Sequence, residues 1–270
     1  MTHCPATKAI AVAVALTPAP ALAAPPPGYT LVWSDEFDKG TAPDLAKWSY
    51  DTQANKLRWW HDEAQYYTAN RPENARIQNG RLIIEVRHEA LTSERDYGGQ
   101  HYTSARLITR GKAEWTYGFF EIRAKLPCNR GGWPAIWLVG PNWPSGGEID
   151  IMEQLGFDPT TIYGTLHSPF TEKEHVTEHG ITKVPTSCSA FHDYQAEWTP
   201  GAISIAVDGK PYATIKRPEK ATAYNWPFDK PEFLILNVAM GGGWAGQKGI
   251  DEAALPARME VDYVRVYQKE

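Results

Sequence analysis

Hydrophobic and polar residues alternate with a period of two along several short stretches of the chain. Phe120, Ile122, Ala124 and Leu126 alternate with Glu121, Arg123 and Lys125, the signature of a strand with one face buried. Leu82, Ile84 and Val86 repeat it. Ile203, Ile205 and Val207 lead into Asp208-Gly209, and Tyr212 and Ile215 lead out. That predicts a hairpin whose turn residues tolerate positive φ. Residues 233–239 and 261–267 are apolar enough for interior strands. No long amphipathic helical stretch and no internal repeat interrupts the pattern. The expected fold class is therefore all-β, a jelly-roll sandwich of two antiparallel sheets.

Composition narrows the setting. A chain of 270 residues, 42% hydrophobic and 22% charged, has material for one large core. The formal net charge of -5 and the lack of a Lys/Arg run give no electrostatic reason to expect nucleic acid or an anionic membrane as partner. Eleven Trp and thirteen Tyr supply flat rings that pack cores and also stack on sugars. The first residues read as a targeting segment: Lys8, an apolar run from Ala9 to Leu16, and the small-residue pattern Ala21-Leu22-Ala23. The run is shorter than the ~20 residues a spanning helix needs. Residues 1–23 are thus expected to be a signal peptide, 24–28 a Pro-rich leader and 29–270 one catalytic domain, secreted or periplasmic. Cys4 leaves with the signal, and Cys128 and Cys188 either pair or remain free thiols.

The chemistry concentrates in Gly146-Gly147-Glu148-Ile149-Asp150-Ile151-Met152-Glu153. Alternation places Glu148 and Asp150 on one face and Ile149 and Ile151 in the core. Continued without interruption, it would send Glu153 to the buried face, where a lone carboxylate is costly to ionise. A β-bulge near Ile151 or Met152 resets the alternation and returns Glu153 to the face of the other two acids. Three neighbouring carboxylates repel, so their titrations couple and at least one proton is retained near neutral pH. Glycoside hydrolysis asks for that combination, one ionised carboxylate and one protonated. In a retaining mechanism the carboxyl groups lie about 5–5.5 Å apart. Strand curvature, the bulge and two long side chains must then close a Cα separation of at most about 17 Å. Three acids also suit Ca²⁺, although such ligands usually come from a loop with its own carbonyls.

The segment 147–153 resembles the active-site motif of glycoside hydrolase family 16 in its laminarinase-like, bulge-containing form. The resemblance continues through Leu31-Val32-Trp33-Ser34-Asp35-Glu36-Phe37, Gln65-Tyr66-Tyr67-Thr68, Tyr102-Thr103-Ser104-Ala105-Arg106, Trp133-Pro134-Ala135-Ile136-Trp137, Asn237-Val238-Ala239-Met240-Gly241-Gly242 and Asp262-Tyr263-Val264-Arg265-Val266-Tyr267. It implies a jelly roll with a concave substrate cleft and a retaining double displacement. Glu148 is then the nucleophile, Glu153 the acid/base and Asp150 the assisting carboxylate. It further implies cleft positions for Trp133, Trp137, Arg106 and His167, with Asn237, Glu63 and Gln65 as polar contacts to substrate. Trp143 and Trp244 sit in loops and are expected to stack on sugar. His61-Asp62-Glu63-Ala64-Gln65 departs from the Asn-Glu-Leu-Gln common in laminarinase-like members, which changes that end of the groove. Glu36, Gly80 and Asp262 match positions that hold a structural Ca²⁺, a hard-ligand set without clustered His or Cys; no cofactor is implied for catalysis. The expected activity is monomeric, endo-acting hydrolysis of internal β-1,3 bonds in β-glucans such as laminarin. The alternatives are a mixed-linkage β-1,3-1,4-glucanase, an agarose-type galactanase, a transglycosylase, or a sugar-binding module on the same scaffold. A binding module has no need of both Glu148 and Glu153.

Overall fold

The structure, a computed structural model, describes residues 25–270, so the expected signal segment and Ala24 lie outside it. Pro25 to Gly28 form no regular element, and the first strand, Tyr29–Asp35, begins directly after them. Among the described residues no helix is long and apolar enough to cross a membrane.

The described strands assemble into two sheets. The smaller runs, from edge to edge, Glu178–Lys183, Asp158–His167, Glu148–Leu155, Gly132–Val139, Phe233–Met240, Arg106–Ile108 and Ser49–Tyr50, with every pair antiparallel. The larger runs Lys210–Lys216, Ala202–Val207, His192–Thr199, Gly118–Lys125, Ala257–Lys269, Leu82–His88, Tyr102–Ser104 and Gln65–Tyr67. Tyr29–Asp35 joins it on Ala257–Lys269, and Ala75–Ile77 on Leu82–His88. The one parallel pairing in these sheets, Gln65–Tyr67 with Tyr102–Ser104, departs from the purely antiparallel expectation. The expected hairpin forms with Asp208 at φ 50° and Gly209 at φ 72°, the two positive values a two-residue turn needs.

The core is built by the alternating positions named above. Phe120, Ile122 and Ala124 from the larger sheet meet Ile136, Leu138, Ile149, Ile151 and Leu236 from the smaller, all fully buried. Trp48, Trp198 and Trp226 are buried with them, so these three indoles are core and not cleft. Cys128 and Cys188 form a disulfide with Cα atoms 5.7 Å apart. It ties the segment after Gly118–Lys125 to the one before the neighbouring His192–Thr199 strand. A closed loop of 60 residues is worth roughly 4 kcal/mol in the chain-entropy account.

Candidate active site

The Glu148–Leu155 strand carries the expected bulge. Against Gly132–Val139, Asp150 pairs with Trp137 while Met152 pairs with Ile136, and against Asp158–His167 the register slips between Asp150 and Glu153. Ile151 and Met152 are both fully buried, so the extra residue is spent on the core side and Glu153 returns to the face of Glu148 and Asp150. A bulge frees a backbone carbonyl. The Tyr212 hydroxyl donates to the Ile151 carbonyl at 3.0 Å and satisfies it. Ile149, Ile151 and Met152 each contribute about 1.5–3 kcal/mol by burial. That burial anchors the strand that carries the acids.

Register across the smaller sheet places the site residues in rows. One row reads Arg106, Asn237, Ala135, Glu153 and Tyr163; the next contains Trp137, Asp150 and Thr165; the third Val139, Glu148 and His167. The strand starts abruptly because Gly147 turns it at φ 85°. A Cβ there would lie 2.9 Å from the Phe228 ring and 3.1 Å from Glu232 Oε1, so only glycine fits.

Each acid has a different environment. Trp133 Nε1 donates to Glu153 Oε1 at 2.9 Å. His167 Nε2 lies 3.1 Å from Asp150 and 3.8 Å from Glu148, while its Nδ1 is 2.7 Å from Glu172. Burial alone would lower the imidazole's pKa, but the hydrogen bond to Asp150 and the surrounding carboxylates outweigh it and raise the value to about 11. The carboxylates around His167 favour its protonated form. Burial and the adjoining Asp150 raise Glu148 to about 8, with His167 and Arg106 pulling the other way. Glu153 is likewise pushed well up by burial, Asp150 and Glu148, opposed by His167 and the Trp133 bond. Beneath them Glu232 is wholly buried without a hydrogen-bond partner for either oxygen. Burial, Glu148 and Asp150 hold it well above the carboxylate range, so it is neutral.

Glu148, Asp150 and His167 bring three potential metal-ligating atoms within 4.8 Å of one another, the one such group among the described residues. Hydrogen bonding and charge tie the trio together, with His167 Nε2 3.1 Å from Asp150.

The flanking residues divide into those facing the groove and those behind it. Trp133 packs edge-on to Trp244 at 5.1 Å, and Trp244 to Tyr163 at 5.3 Å, so the glycine-loop tryptophan does reach the site. Trp143 packs against Trp60 and, with Trp137, against Ile108, Val139 and Ile235. Arg106 lies between Trp59 and Trp137, its guanidinium 4.9 and 4.7 Å from their rings, with Asp51 3.1 Å away. It steadies the tryptophans and lends positive potential to Glu148.

Several expected residues have partners within the protein. Gln65 is fully buried, donating to Glu63 at 2.6 Å and accepting from the Met240 backbone at 2.7 Å, so it props the wall instead of touching substrate. Asn237, in the row of Glu153, accepts from Trp137 Nε1 at 2.8 Å and donates to the Tyr67 hydroxyl at 3.0 Å, and so orients Trp137. Glu63, nearly buried beside Gln65, is raised by desolvation to about 7 against the pull of Gln65 and Arg106. The expected calcium residues have partners as well. Arg265 donates to both Glu36 oxygens at 2.9 and 2.7 Å, and Asp262 sits 3.5 Å from Arg123 and 3.8 Å from Arg81. Two carboxylates facing three guanidinium groups do not fit a divalent cation, and Gly80 serves the turn between Ala75–Ile77 and Leu82–His88 at φ 69°.

Alternation around the motif did not reveal Glu172, Tyr163, Tyr212 or Trp60. Tyr163 was within reach of the pattern, two alternations before His167 on the same strand. Glu172 is delivered by the Pro169–Glu174 helix, which starts with a Ser168/Thr171 capping box and Pro at its first position.

Comparison with known proteins matches residues 62–265 to the family described as Glycosyl hydrolases family 16. A beta-glucanase of Rhodothermus marinus is 49% identical over 255 residues, spanning 90% of this chain and 86% of that protein. A glucan endo-1,3-beta-glucosidase of Cryptopygus antarcticus is 36% identical over 88% of this chain and 91% of its own length. Among solved structures, SCLam, a non-specific endo-beta-1,3(4)-glucanase, superposes with a TM-score of 0.89 at 52% identity, covering 92% of this chain and 94% of that one. Agreement of this extent, in sequence and in shape, makes the protein a member of glycosyl hydrolases family 16.

Proposed function

We propose that the protein is an endo-acting β-1,3-glucanase working by retaining double displacement, with Glu148 as nucleophile, Glu153 as acid/base and Asp150 as assisting carboxylate. The observation that carries the proposal is the bulge, which sets Glu153 beside Glu148 and Asp150 with Trp133 bonded to it. Burial and their shared neighbour Asp150 push both glutamates up, so the site can hold one proton while another of its carboxylates ionises. That is the division of labour the reaction requires. Glu148 attacks the anomeric carbon while Glu153 protonates the departing glycosidic oxygen. Glu153, now ionised, then takes a proton from the water that releases the glycosyl-enzyme. Asp150 is held between the acids by His167, whose far side is pinned by Glu172. The imidazolium thus offsets the negative charge that accumulates when Glu148 ionises. Trp133, Trp137, Trp143 and Trp244 provide rings for the sugar faces.

Mixed-linkage β-glucan is the second reading, favoured by the likeness to an endo-beta-1,3(4)-glucanase. Export from the cell is part of the proposal, supported by the leader pattern and by a disulfide that oxidising surroundings maintain. In the test, Glu148→Gln abolishes release of reducing ends from laminarin while the melting transition persists, and the first product seen by NMR is the β-anomer. Retained activity, or initial α-product, overturns the mechanism. Parallel assays on laminarin, barley β-glucan, lichenan and agarose rank the substrates.

A further inference from the structure

We infer that Trp60 forms a sugar-stacking platform beyond the ring bound at the carboxylates, and that it gives the enzyme a preference for long glucan chains. The inference rests on the function proposed above and assigns a residue that function does not need. In the pair Trp59-Trp60, the two indoles are treated in opposite ways. Trp59 is buried, with its Nε1 on Asn55 at 2.9 Å, its ring edge-on to Tyr67 at 4.9 Å and Arg106 over its face. Trp60 is 60% exposed. A scattered exposed side chain needs no explanation, but this one is placed by a costly backbone. Arg58, His61 and Asp62 all have φ between 55° and 61°, three left-handed non-glycine residues around one tryptophan. Each costs of order 1 kcal/mol or more, and such strain collects where a loop must present a ligand contact.

The loop is also rigid. Asn55, fully buried, donates to the Tyr67 carbonyl at 2.9 Å and accepts from the Tyr67 amide at 3.0 Å, and the Glu63 amide bonds back to the Trp60 carbonyl at 3.3 Å. Arg58 and Asp62 close it with an ion pair at 3.2 Å. Trp60 is therefore held out in water by its own anchors, so little conformational freedom is lost when a ring docks.

Its position is continuous with the groove. On one side Trp60 meets Trp143 edge-on at 4.9 Å; on the other it meets His61 at 5.4 Å, and His61 leads at 6.5 Å to Trp133, the residue bonded to Glu153. With Trp244 and Tyr163 these rings make an unbroken aromatic arc past the acids. A polymer of pyranose rings, each with an apolar face, is the occupant such an arc fits.

The test compares wild type, Trp60→Ala and Trp60→Phe on laminari-oligosaccharides of increasing length, reading kcat and KM separately. With the alanine variant KM rises roughly three- to tenfold on the longest chains, the ratio shrinks as the chain shortens, and kcat holds, as removal of uniform binding requires. The phenylalanine variant recovers most of the loss. Identical KM values for wild type and Trp60→Ala at every length overturn the inference, and so does a loss equal at every length, which marks a packing role. If the wild type cleaves none of these chains, the proposed function fails first, and that result is distinct from either.

Discussion

The bond from Trp133 Nε1 to Glu153 opposes the burial and negative charge that hold the proton on that acid. Trp133→Phe removes the donor but keeps a ring against Trp244. A hydrogen bond to a charged group is worth about 1.5–3 kcal/mol, and one pKa unit corresponds to about 1.4 kcal/mol. The bond favours the ionised form, so its loss raises the Glu153 pKa by about one to two units. Activity at high pH falls when Glu153 loses its proton. The basic limb of the kcat/KM profile therefore moves about one unit or more to higher pH in the variant. The assay is initial-rate hydrolysis of a laminari-oligosaccharide well below KM, from pH 4 to 10, so that the profile reports the free enzyme. A basic limb that stays in place, or moves to lower pH, refutes the assignment of Glu153 as acid.

Stability should fall as pH rises. His167 titrates near 11 folded against 6.5 unfolded, so its contribution is complete below about 6.5 and is lost on rising towards 11. Glu148, raised from 4.5 to about 8, acts in the same direction between those values. Thermal melts from pH 5 to 9 check this: the melting temperature declines, and the decline flattens in His167→Asn. A melting temperature that climbs across that range contradicts both shifts. For the Glu36 and Asp262 region, excess Ca²⁺ and excess EGTA should give the same melting temperature. A rise of several degrees with Ca²⁺ shows that the ion displaces Arg265 from Glu36.

The framework was legible because burial writes itself into alternation, as at Phe120, Ile122 and Ala124. The active site was legible because alternation failed there: an acid in phase with the buried Ile151 and one place out of phase with Glu148 and Asp150 has no cheap solution except a bulge. The same logic could not reveal how Gln65 and Asn237 spend their side-chain hydrogen bonds. Both lie on strand faces with the right parity, and only the close packing of Trp137, Tyr67 and Met240 around them decides those bonds. The pairing of Glu36 and Asp262 was hidden for a related reason, since the sequence shows the two acids but not that Arg265 meets Glu36 or that Arg123 and Arg81 approach Asp262. Trp60 carried no signal at all, being one of eleven tryptophans until its exposure distinguishes it from its neighbour.

The bulge has a consequence for how this strand tolerates insertion and deletion. Losing one residue at Met152 would place the second glutamate four positions after Glu148, an even spacing, and every side chain beyond it would keep its side of the sheet. What changes is the reach and tilt between the two glutamates, because the extra residue lengthens and twists the strand locally. Elsewhere along the strand a one-residue change inverts everything that follows. Between the two glutamates this is therefore the point where one residue can be lost with the acids still facing substrate, and where chain length can tune the distance between them during divergence.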